Sequence, residues 1–156
     1  TTKDRWEMVL GDGCEMDYLK NESACIDCIF SSPPYYGSPE PYNDLPQDLG
    51  NMSIEDFDKR MEVCFKNIDR LIKRSDHKNK IFHPIIFTIG TYRKLENGIY
   101  DMDFSFQKMA KDLNWKLWDK MHIPTVNPHL VCSLQRNYEL GYVHKNCETQ
   151  LVFVKF

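Results

Sequence analysis

Glycine is scarce in this sequence, and long apolar runs are missing from it. Of the seven glycines, only Gly11 and Gly13 lie close together. No apolar run approaches the length of a membrane span, so no membrane contact is predicted. The first residues have no basic region followed by an apolar stretch, and they do not predict a secretory signal. The composition, 42% hydrophobic and 28% charged, is that of an ordinary globular domain.

The sequence also lacks the residue spacing of a metal site. Its five histidines are widely spaced and include no i, i+4 pair. Cys25 and Cys28 form a Cys-x-x-Cys pair, but no second Cys pair or His pair at zinc spacing follows it. No metal is therefore predicted. The six cysteines are scattered through apolar contexts, which predicts reduced thiols in a cytoplasmic protein.

Positive charge is not in excess. The net charge of −3 argues mildly against a chain that binds the phosphate backbone of a nucleic acid by itself. The charge is uneven, because residues 1–58 carry 3 basic and 13 acidic residues while residues 59–80 carry 8 and 3. If nucleic acid is the partner, the middle and end of the chain are better placed to meet it than the start. A solvated helix face is the simpler interpretation of the basic stretch.

Apolar periodicity predicts an α/β domain formed by residues 1–156. A capping box at Ser53 begins a helix over about 54–74, in which apolar residues from Phe57 to Ile72 recur at helical spacing. Alternating apolar runs and helical patterns give the order β-α-β-α-β-α-β-β, which favours a largely parallel sheet with an antiparallel hairpin at its end. The other predicted elements are strands at 5–10, 26–30, 80–90, 115–123 and 149–156, a short helix at 14–20, a helix from about 102 to 113, and a long loop at 31–52.

Three predicted strands end in residues that can carry chemistry. The first ends at Gly11 and Asp12, the second at Ser31–Tyr35, and the third at Thr88–Gly90. Ligands of such sheets bind beyond the carboxyl ends of the strands. A loop as long as 31–52 inside a compact domain is more often functional than idle. This convergence predicts a site at that edge of the sheet.

The stretch Ser-Pro-Pro-Tyr at 32–35 suits a planar heterocycle that carries an exocyclic amino group. Pro33 and Pro34 fix two φ angles and remove two backbone donors, which leaves a stiff turn with free carbonyls. The Ser32 hydroxyl and the Pro33 carbonyl can accept the two amino hydrogens, and Tyr35 offers a flat face for stacking. Such bonds would make the amino nitrogen a better nucleophile. A rigid structural corner is the alternative.

These residues and their neighbours resemble the DNA amino-methyltransferases, which methylate the exocyclic nitrogen of cytosine or adenine. The family's catalytic motif is Asp, Asn or Ser followed by Pro-Pro and an aromatic residue. Its Ser form, followed here by Tyr36 and Gly37, looks most like the cytosine-N4 branch. Four further segments are similar to the family and stand in its order, most like members in which the catalytic half comes first: "VLGDGCEMDYL", "DLGNMSIEDFDKRMEVCFKNIDRLIK", "FTIG" and "NPHLVCSLQRNYELGYVHKNCETQLVFVK".

The resemblance implies a Rossmann-like methyltransferase core, S-adenosylmethionine as cofactor and a flipped DNA base as substrate. It implies catalytic roles for Ser32, Pro33, Pro34 and Tyr35. Asp12, Gly11 and Ser31 are then the expected cofactor contacts, and Tyr36, Arg136 and His144 are the expected contacts to DNA or the site rim. A turn aspartate is an equally good interpretation of Asp12, and solvated loop positions are at least as good for Arg136 and His144.

One family element has no counterpart in this sequence. The family's cofactor loop, Phe-x-Gly-x-Gly after a strand, is not found, and "GDG" stands in the context of the acidic turn instead. Three interpretations stay open: a catalytic half-domain, an excised fragment, or a degenerate relative. The alternative functions are a non-catalytic module that binds DNA or protein, and a chain whose partner or dimer mate supplies the loop. Methylation of RNA or of a small molecule is a weaker option.

Overall fold

A four-stranded sheet and two helices form the body of the part of the chain that the structure describes. The computed structural model describes residues 7–36, 44–90, 93–94, 98–124 and 147–156. The elements are β1 (Ile29–Ser31), α1 (Ile54–Leu71), β2 (Pro84–Ile89), β3 (Arg93–Lys94), β4 (Gly98–Ile99), α2 (Met102–Asp112), β5 (Lys116–Pro124) and β6 (Cys147–Val154), with short 3₁₀ turns at Asp17–Leu19 and Leu49–Asn51. The predicted α/β class and both long helices are confirmed.

The sheet is mixed, and the prediction of a mostly parallel sheet is wrong. Its strand order is β1-β2-β6-β5. Only β1 and β2 run parallel, while β6 is antiparallel to both β2 and β5. Antiparallel pairing of the last two strands, which the predicted hairpin requires, is confirmed for β5 and β6. Strands β3 and β4 form a separate two-stranded ribbon.

Helix α1 follows from its sequence almost residue by residue. The Ser53 hydroxyl accepts a hydrogen bond from the backbone N–H of Asp56 at 3.1 Å, which caps the first turn. The helix ends where Ile72 turns to an extended conformation. Its apolar residues form one stripe that faces the core, as helical periodicity predicts. The buried residues are Phe57, Met61, Cys64, Phe65, Ile68 and Leu71.

Phe65 lies at the centre of an aromatic core between the helices and the sheet. Its ring stacks on Phe87 of β2 at 5.1 Å and on Trp115 at 5.2 Å, and it meets Phe106 of α2 edge-on at 5.2 Å. Offset-stacked and edge-to-face pairs of this kind add stability beyond the area they bury. This core fixes β2 against both helices, and it therefore fixes the carboxyl end of β2 as well.

The N-terminal segment is held against α1 by polar contacts, in place of the predicted strand and helix. The prediction of a strand at 5–10 is wrong for the described residues 7–10, which are exposed and form no strand. The helix predicted at 14–20 is only the 3₁₀ turn at 17–19. Asn67 donates to the carbonyls of Cys14 and Glu15, and Arg70 donates to the carbonyl of Leu19. These bonds satisfy backbone groups that a sheet would otherwise pair.

Within the described ranges, no helix combines the length and apolar character that crossing a membrane requires.

Candidate active site

Four strands each bring one end to the same edge of the sheet. Because β1 and β2 are parallel, with Ser31 opposite Phe87, their carboxyl ends point to the same edge. The start of β6 lies there too, since Thr149 pairs with Ile89. Strand β5 ends beside it, with Ile123 opposite Glu148. The edge therefore combines chain segments that are far apart in sequence.

Tyr35 is the centre of the hydrogen bonds at this edge. Its hydroxyl oxygen lies 3.0 Å from Glu148 Oε1, 3.2 Å from Ser32 Oγ and 3.5 Å from the carbonyl oxygen of Thr88. We refer to Ser32, Tyr35, Thr88 and Glu148 as the strand-end cluster. The two outer strands of the cluster, β1 and β6, are thus joined through one phenol group above the end of β2.

The prolines hold the serine outward. Ser32 is exposed, Pro33 is buried, and Pro34 and Tyr35 are half-buried. Buried Pro33 anchors the turn while its fixed φ angle limits how the chain can relax. Gly50 of the next described segment lies beside this turn, because a Cβ added to it would be in ordinary van der Waals contact with the Tyr35 carbonyl oxygen, at 3.9 Å. The turn therefore places the Ser32 hydroxyl at the surface, beside the ring of Tyr35. The hydroxyl group of that ring is held in turn by Thr88 and Glu148.

Tyr36 does not face the solvent, although the resemblance implied that it contacts the substrate. Its side chain is 3% exposed and packs edge-on against Phe57 and Tyr100, with ring centroids at 5.8 and 5.1 Å. Tyr100 in turn donates to Asp58, and burial together with that carboxylate raises the pKa of the Tyr100 hydroxyl. Tyr36 therefore anchors the turn in the core, and this burial argues against a direct contact with DNA.

Asp12 belongs to an ion-pair network on α1. Its carboxylate accepts from the backbone N–H groups of Cys14 at 2.8 Å and Glu15 at 3.2 Å, and Arg60 bridges Asp12 and Glu15. Partial burial would raise the pKa of Asp12, but the two backbone bonds and Arg60 outweigh it and lower the pKa. These bonds fit the predicted turn aspartate, and they leave the side chain 49% exposed.

Two of the other predicted site residues, Gly11 and Ser31, lie within the described part of the structure. Gly11 is exposed beside Tyr18, and Ser31 is half-buried at the end of β1. Arg136 and His144 lie outside the described residues, as does Gly37. The chain leaves β5 at Pro124 and re-enters β6 at Cys147, and both points lie at the same edge as the strand-end cluster.

Sequence reasoning did not identify Glu148 as a partner of Tyr35. The two residues are 113 positions apart, and their contact depends on β6 running beside β2. Glu148 does stand in the closing segment that resembles the family, so an acidic residue directly before a predicted strand was the one available signal. Thr88 was identified as a strand end but not as a partner of the tyrosine.

Two grooves of the described residues lie away from this edge, and the smaller, of about 230 Å³, is lined by residues such as Glu62, Lys66 and Asp112. The larger groove, of about 410 Å³, lies between α2 and β5, lined by residues such as Phe104, Lys108 and Trp115, and it includes no member of the strand-end cluster. Its lining is chiefly apolar and carries no acid–base pair. Among the described residues, no group of His, Cys, Asp or Glu is arranged to hold a metal ion.

Comparison with solved structures finds the same fold in DNA methyltransferases. A protein from Thermus thermophilus, provisionally assigned as a DNA modification methylase and crystallised with S-adenosyl-L-methionine, matches 94% of this chain and 54% of its own, with a TM-score of 0.61 and 16% identity. The PvuII DNA methyltransferase, which is cytosine-N4-specific, matches 94% of this chain and 48% of its own, with a TM-score of 0.64 and 14% identity. The resemblance to DNA amino-methyltransferases is thus confirmed at the level of the fold.

The chain spans about half the length of these solved structures. No protein-family model matches it, and a search of curated proteins finds no match either.

Proposed function

We propose that this chain carries the base-holding site of a DNA amino-methyltransferase, which moves a methyl group from S-adenosylmethionine to N4 of cytosine or N6 of adenine. The observation that supports the proposal most directly is the strand-end cluster. It holds Ser32 outward at the carboxyl ends of β1 and β2, where α/β proteins bind their ligands. The shared fold with DNA methyltransferases supports it independently.

In this proposal the turn at 32–35 orients the amino group. Ser32 Oγ and the Pro33 carbonyl accept its two hydrogens, which draws electron density to the nitrogen and directs its lone pair. Tyr35 contributes a ring beside the base, and Pro33 and Pro34 keep the acceptors in place. Because no side chain needs to bond to the base, the contribution of these residues is positioning and polarisation.

The cofactor would meet the chain at Asp12, Gly11 and Ser31. The carboxylate of Asp12 is fixed by Arg60 and two backbone amides, yet it is half exposed and has lone pairs left for a hydroxyl or amino donor. The adenosine part of S-adenosylmethionine carries hydroxyl and amino groups that can donate to this carboxylate. When bound, this cofactor supplies an electrophilic methyl group on its sulfonium.

DNA would present the base by flipping it out of the stack, because the strand-end cluster cannot reach an amino group inside a duplex. In this proposal Arg136 and His144 contact the DNA or form the rim of the site. Both belong to the segment between β5 and β6, whose two described ends lie at the site edge. Tyr36 would act only from within the core, by holding the turn.

A second candidate function is supported by the face of the sheet opposite the helices. Phe30, Ile86 and Val152 lie side by side across β1, β2 and β6, and Phe30 is 66% exposed. Strand β1 pairs only with β2 within the described part of the sheet. A methyltransferase-like module that binds a partner chain, including one that supplies the cofactor loop, would use such a face.

Calorimetric titration with S-adenosylmethionine distinguishes these functions. We expect one-to-one binding by the wild-type chain and weaker binding by Asp12→Ala, by roughly tenfold, since a hydrogen bond to a charged group is lost. Glu15→Ala is the matched control. It also removes a carboxylate from Arg60 but leaves the expected cofactor contact, so its affinity should match the wild type.

Each outcome of the titration has a clear meaning. Equal weakening by Asp12→Ala and Glu15→Ala would show that the loss comes from the Arg60 network, and the role of Asp12 as a cofactor contact would be rejected. No heat of binding at millimolar cofactor would reject an enzyme that acts alone and would favour the partner-binding module.

A further inference from the structure

We infer that Glu148 sets the direction of the hydrogen bonds through Tyr35 to Ser32, and that it receives the proton which the methylated amino group must lose. The inference rests on the proposed function and assigns to Glu148 a role that neither the motif at 32–35 nor the comparisons indicate. Glu148 is a positioning residue in this scheme, because it acts on the base through Tyr35 and Ser32.

The three groups form one continuous chain of hydrogen bonds. Ser32 Oγ lies 3.2 Å from the Tyr35 hydroxyl oxygen, which lies 3.0 Å from Glu148 Oε1. Bonds between a hydroxyl and an oxygen acceptor usually span about 2.5–3.0 Å, so the bond from Tyr35 to Glu148 lies at the upper limit and the contact of Ser32 with Tyr35 lies just beyond it. Ser32 is exposed at one end and Glu148 is half-buried at the other. The hydrogen bonds therefore run from the exposed Ser32 hydroxyl to a carboxylate that is itself only partly buried.

The carboxylate of Glu148 decides which way these bonds point. A carboxylate accepts hydrogen bonds, and Tyr35 has a single hydroxyl hydrogen to give. Glu148 Oε1 takes that hydrogen in preference to the Thr88 carbonyl, because it is nearer, at 3.0 against 3.5 Å, and charged. The Tyr35 oxygen must then accept from Ser32.

Ser32 is consequently left with only lone pairs to offer a ligand. An amino group, which donates, fits this arrangement, whereas a carbonyl oxygen at the same position meets another acceptor and leaves both unpaired. The direction set by Glu148 thus selects a base that bears an amino group over one that bears an oxo group. This selection is made before any chemistry and does not depend on the cofactor.

The same chain of bonds can carry a proton away. As the nitrogen bonds to the methyl group and the sulfonium carbon–sulfur bond breaks, one N–H proton passes to Ser32 Oγ. The Ser32 proton passes to the Tyr35 oxygen, and the Tyr35 proton passes to Glu148 Oε1. With the sulfonium charge neutralised by the transfer, Ser32 and Tyr35 would end as neutral hydroxyls and Glu148 would end as a neutral acid. Water then takes the proton from half-buried Glu148 and restores the carboxylate.

The test measures binding of two pairs of single-stranded oligonucleotides in the absence of cofactor. Oligodeoxycytidylate is compared with oligodeoxyuridylate, and oligodeoxyadenylate with oligodeoxyinosinate, at equal length. Each pair exchanges the amino group for an oxo group, and single strands avoid the energy of flipping a base out of a duplex. We expect the wild type to prefer the amino member of at least one pair by about tenfold, as one mismatched buried hydrogen bond costs.

Glu148→Gln should reduce this preference severalfold, with the remainder due to the Pro33 carbonyl, which still accepts only from an amino group. The glutamine amide can donate to the Tyr35 oxygen, which frees Ser32 to donate to an oxo group. Tyr35→Phe removes the middle of the chain of bonds and should have the same effect. Glu62→Gln is the matched control, because Glu62 is a solvent-facing carboxylate of α1 whose pairing is with Lys66. It should keep the wild-type preference.

The outcomes separate this inference from the proposed function. If the wild type prefers the amino bases and Glu148→Gln prefers them equally, while remaining folded by circular dichroism, the role of Glu148 is overturned and the base-holding site stands. If the wild type binds both members of each pair equally or not at all, the base-holding site and the inference that rests on it both fall.

Discussion

Replacing Ser32 with alanine is expected to lower the rate of methyl transfer to DNA by about a hundredfold or more, with little change in the affinity for S-adenosylmethionine. The change removes one of two acceptors that orient and polarise the amino group, and the loss of one such pre-positioned group typically costs about two to three orders of magnitude. Ser32 is exposed and bonds to Tyr35 alone among the described contacts, so the fold should tolerate the change.

The matched control is Ser23→Ala. Ser23 is also exposed, and the same hydroxyl is removed in a part of the chain that lies outside the proposed site. Single-turnover transfer of a labelled methyl group, measured for both variants with saturating cofactor, isolates the chemical step. A Ser32→Ala variant that transfers the methyl group as fast as Ser23→Ala would remove the serine from the mechanism.

Replacing Phe65 with alanine is expected to lower the free energy of unfolding by about 3–5 kcal/mol. The Phe65 ring is 1% exposed and stacks between Phe87 and Trp115, so its removal leaves a cavity lined by three aromatic residues including Phe106. Domains of this size are stable by only about 5–15 kcal/mol. The variant should therefore unfold at a much lower urea concentration, and it should also lose function because β2 is no longer held.

Phe104→Ala is the control for this loss of stability. Phe104 lies on the other major helix but is 69% exposed, so the same truncation should change the free energy of unfolding by no more than about 0.5 kcal/mol. Urea unfolding followed by circular dichroism measures both variants. A cost below about 1 kcal/mol for Phe65→Ala would contradict the aromatic core described here.

The helices were predictable because their signals are local. The apolar residues of α1, from Phe57 to Leu71, repeat at helical spacing, and the capping residue Ser53 directly precedes the first residue of the helix. The antiparallel pairing of β5 with β6 was predictable because both strands are apolar runs and are consecutive elements in the sequence. In each case the residues that decide the structure are near neighbours or repeat with one period.

The sheet was predicted less well because strand order is a non-local property. A short apolar run such as β1 does not specify its neighbour or its direction. The pattern at 5–10 alternates as a strand does, yet Met8 and Leu10 are exposed and form no ladder, since the Asp12 turn and α1 hold the segment that follows. Local alternation could not reveal this competing arrangement.

The position of the candidate site at a strand end was predictable from the sequence, but the hydrogen-bond partners of its residues were not. The stretch Ser32–Tyr35 was identified because it combines acceptors, prolines and a ring in four residues, and the structure places it at the expected strand end. The partnership of Tyr35 with Glu148 depends on strand register, and the burial of Tyr36 depends on Tyr100 and Phe57 from distant segments. Contacts of that kind have no signature in one sequence.

Identifying the methylated product decides whether this chain methylates an exocyclic amino group of DNA. The chain is incubated with S-adenosylmethionine carrying a labelled methyl group and with cytosine- and adenine-containing DNA, which is then digested to nucleosides and separated by mass. The proposed function predicts label in N4-methylcytosine or N6-methyladenine, which Ser32→Ala forms at least about a hundredfold more slowly. Label on a carbon atom of a base, or wild-type amounts of product from Ser32→Ala, would contradict it.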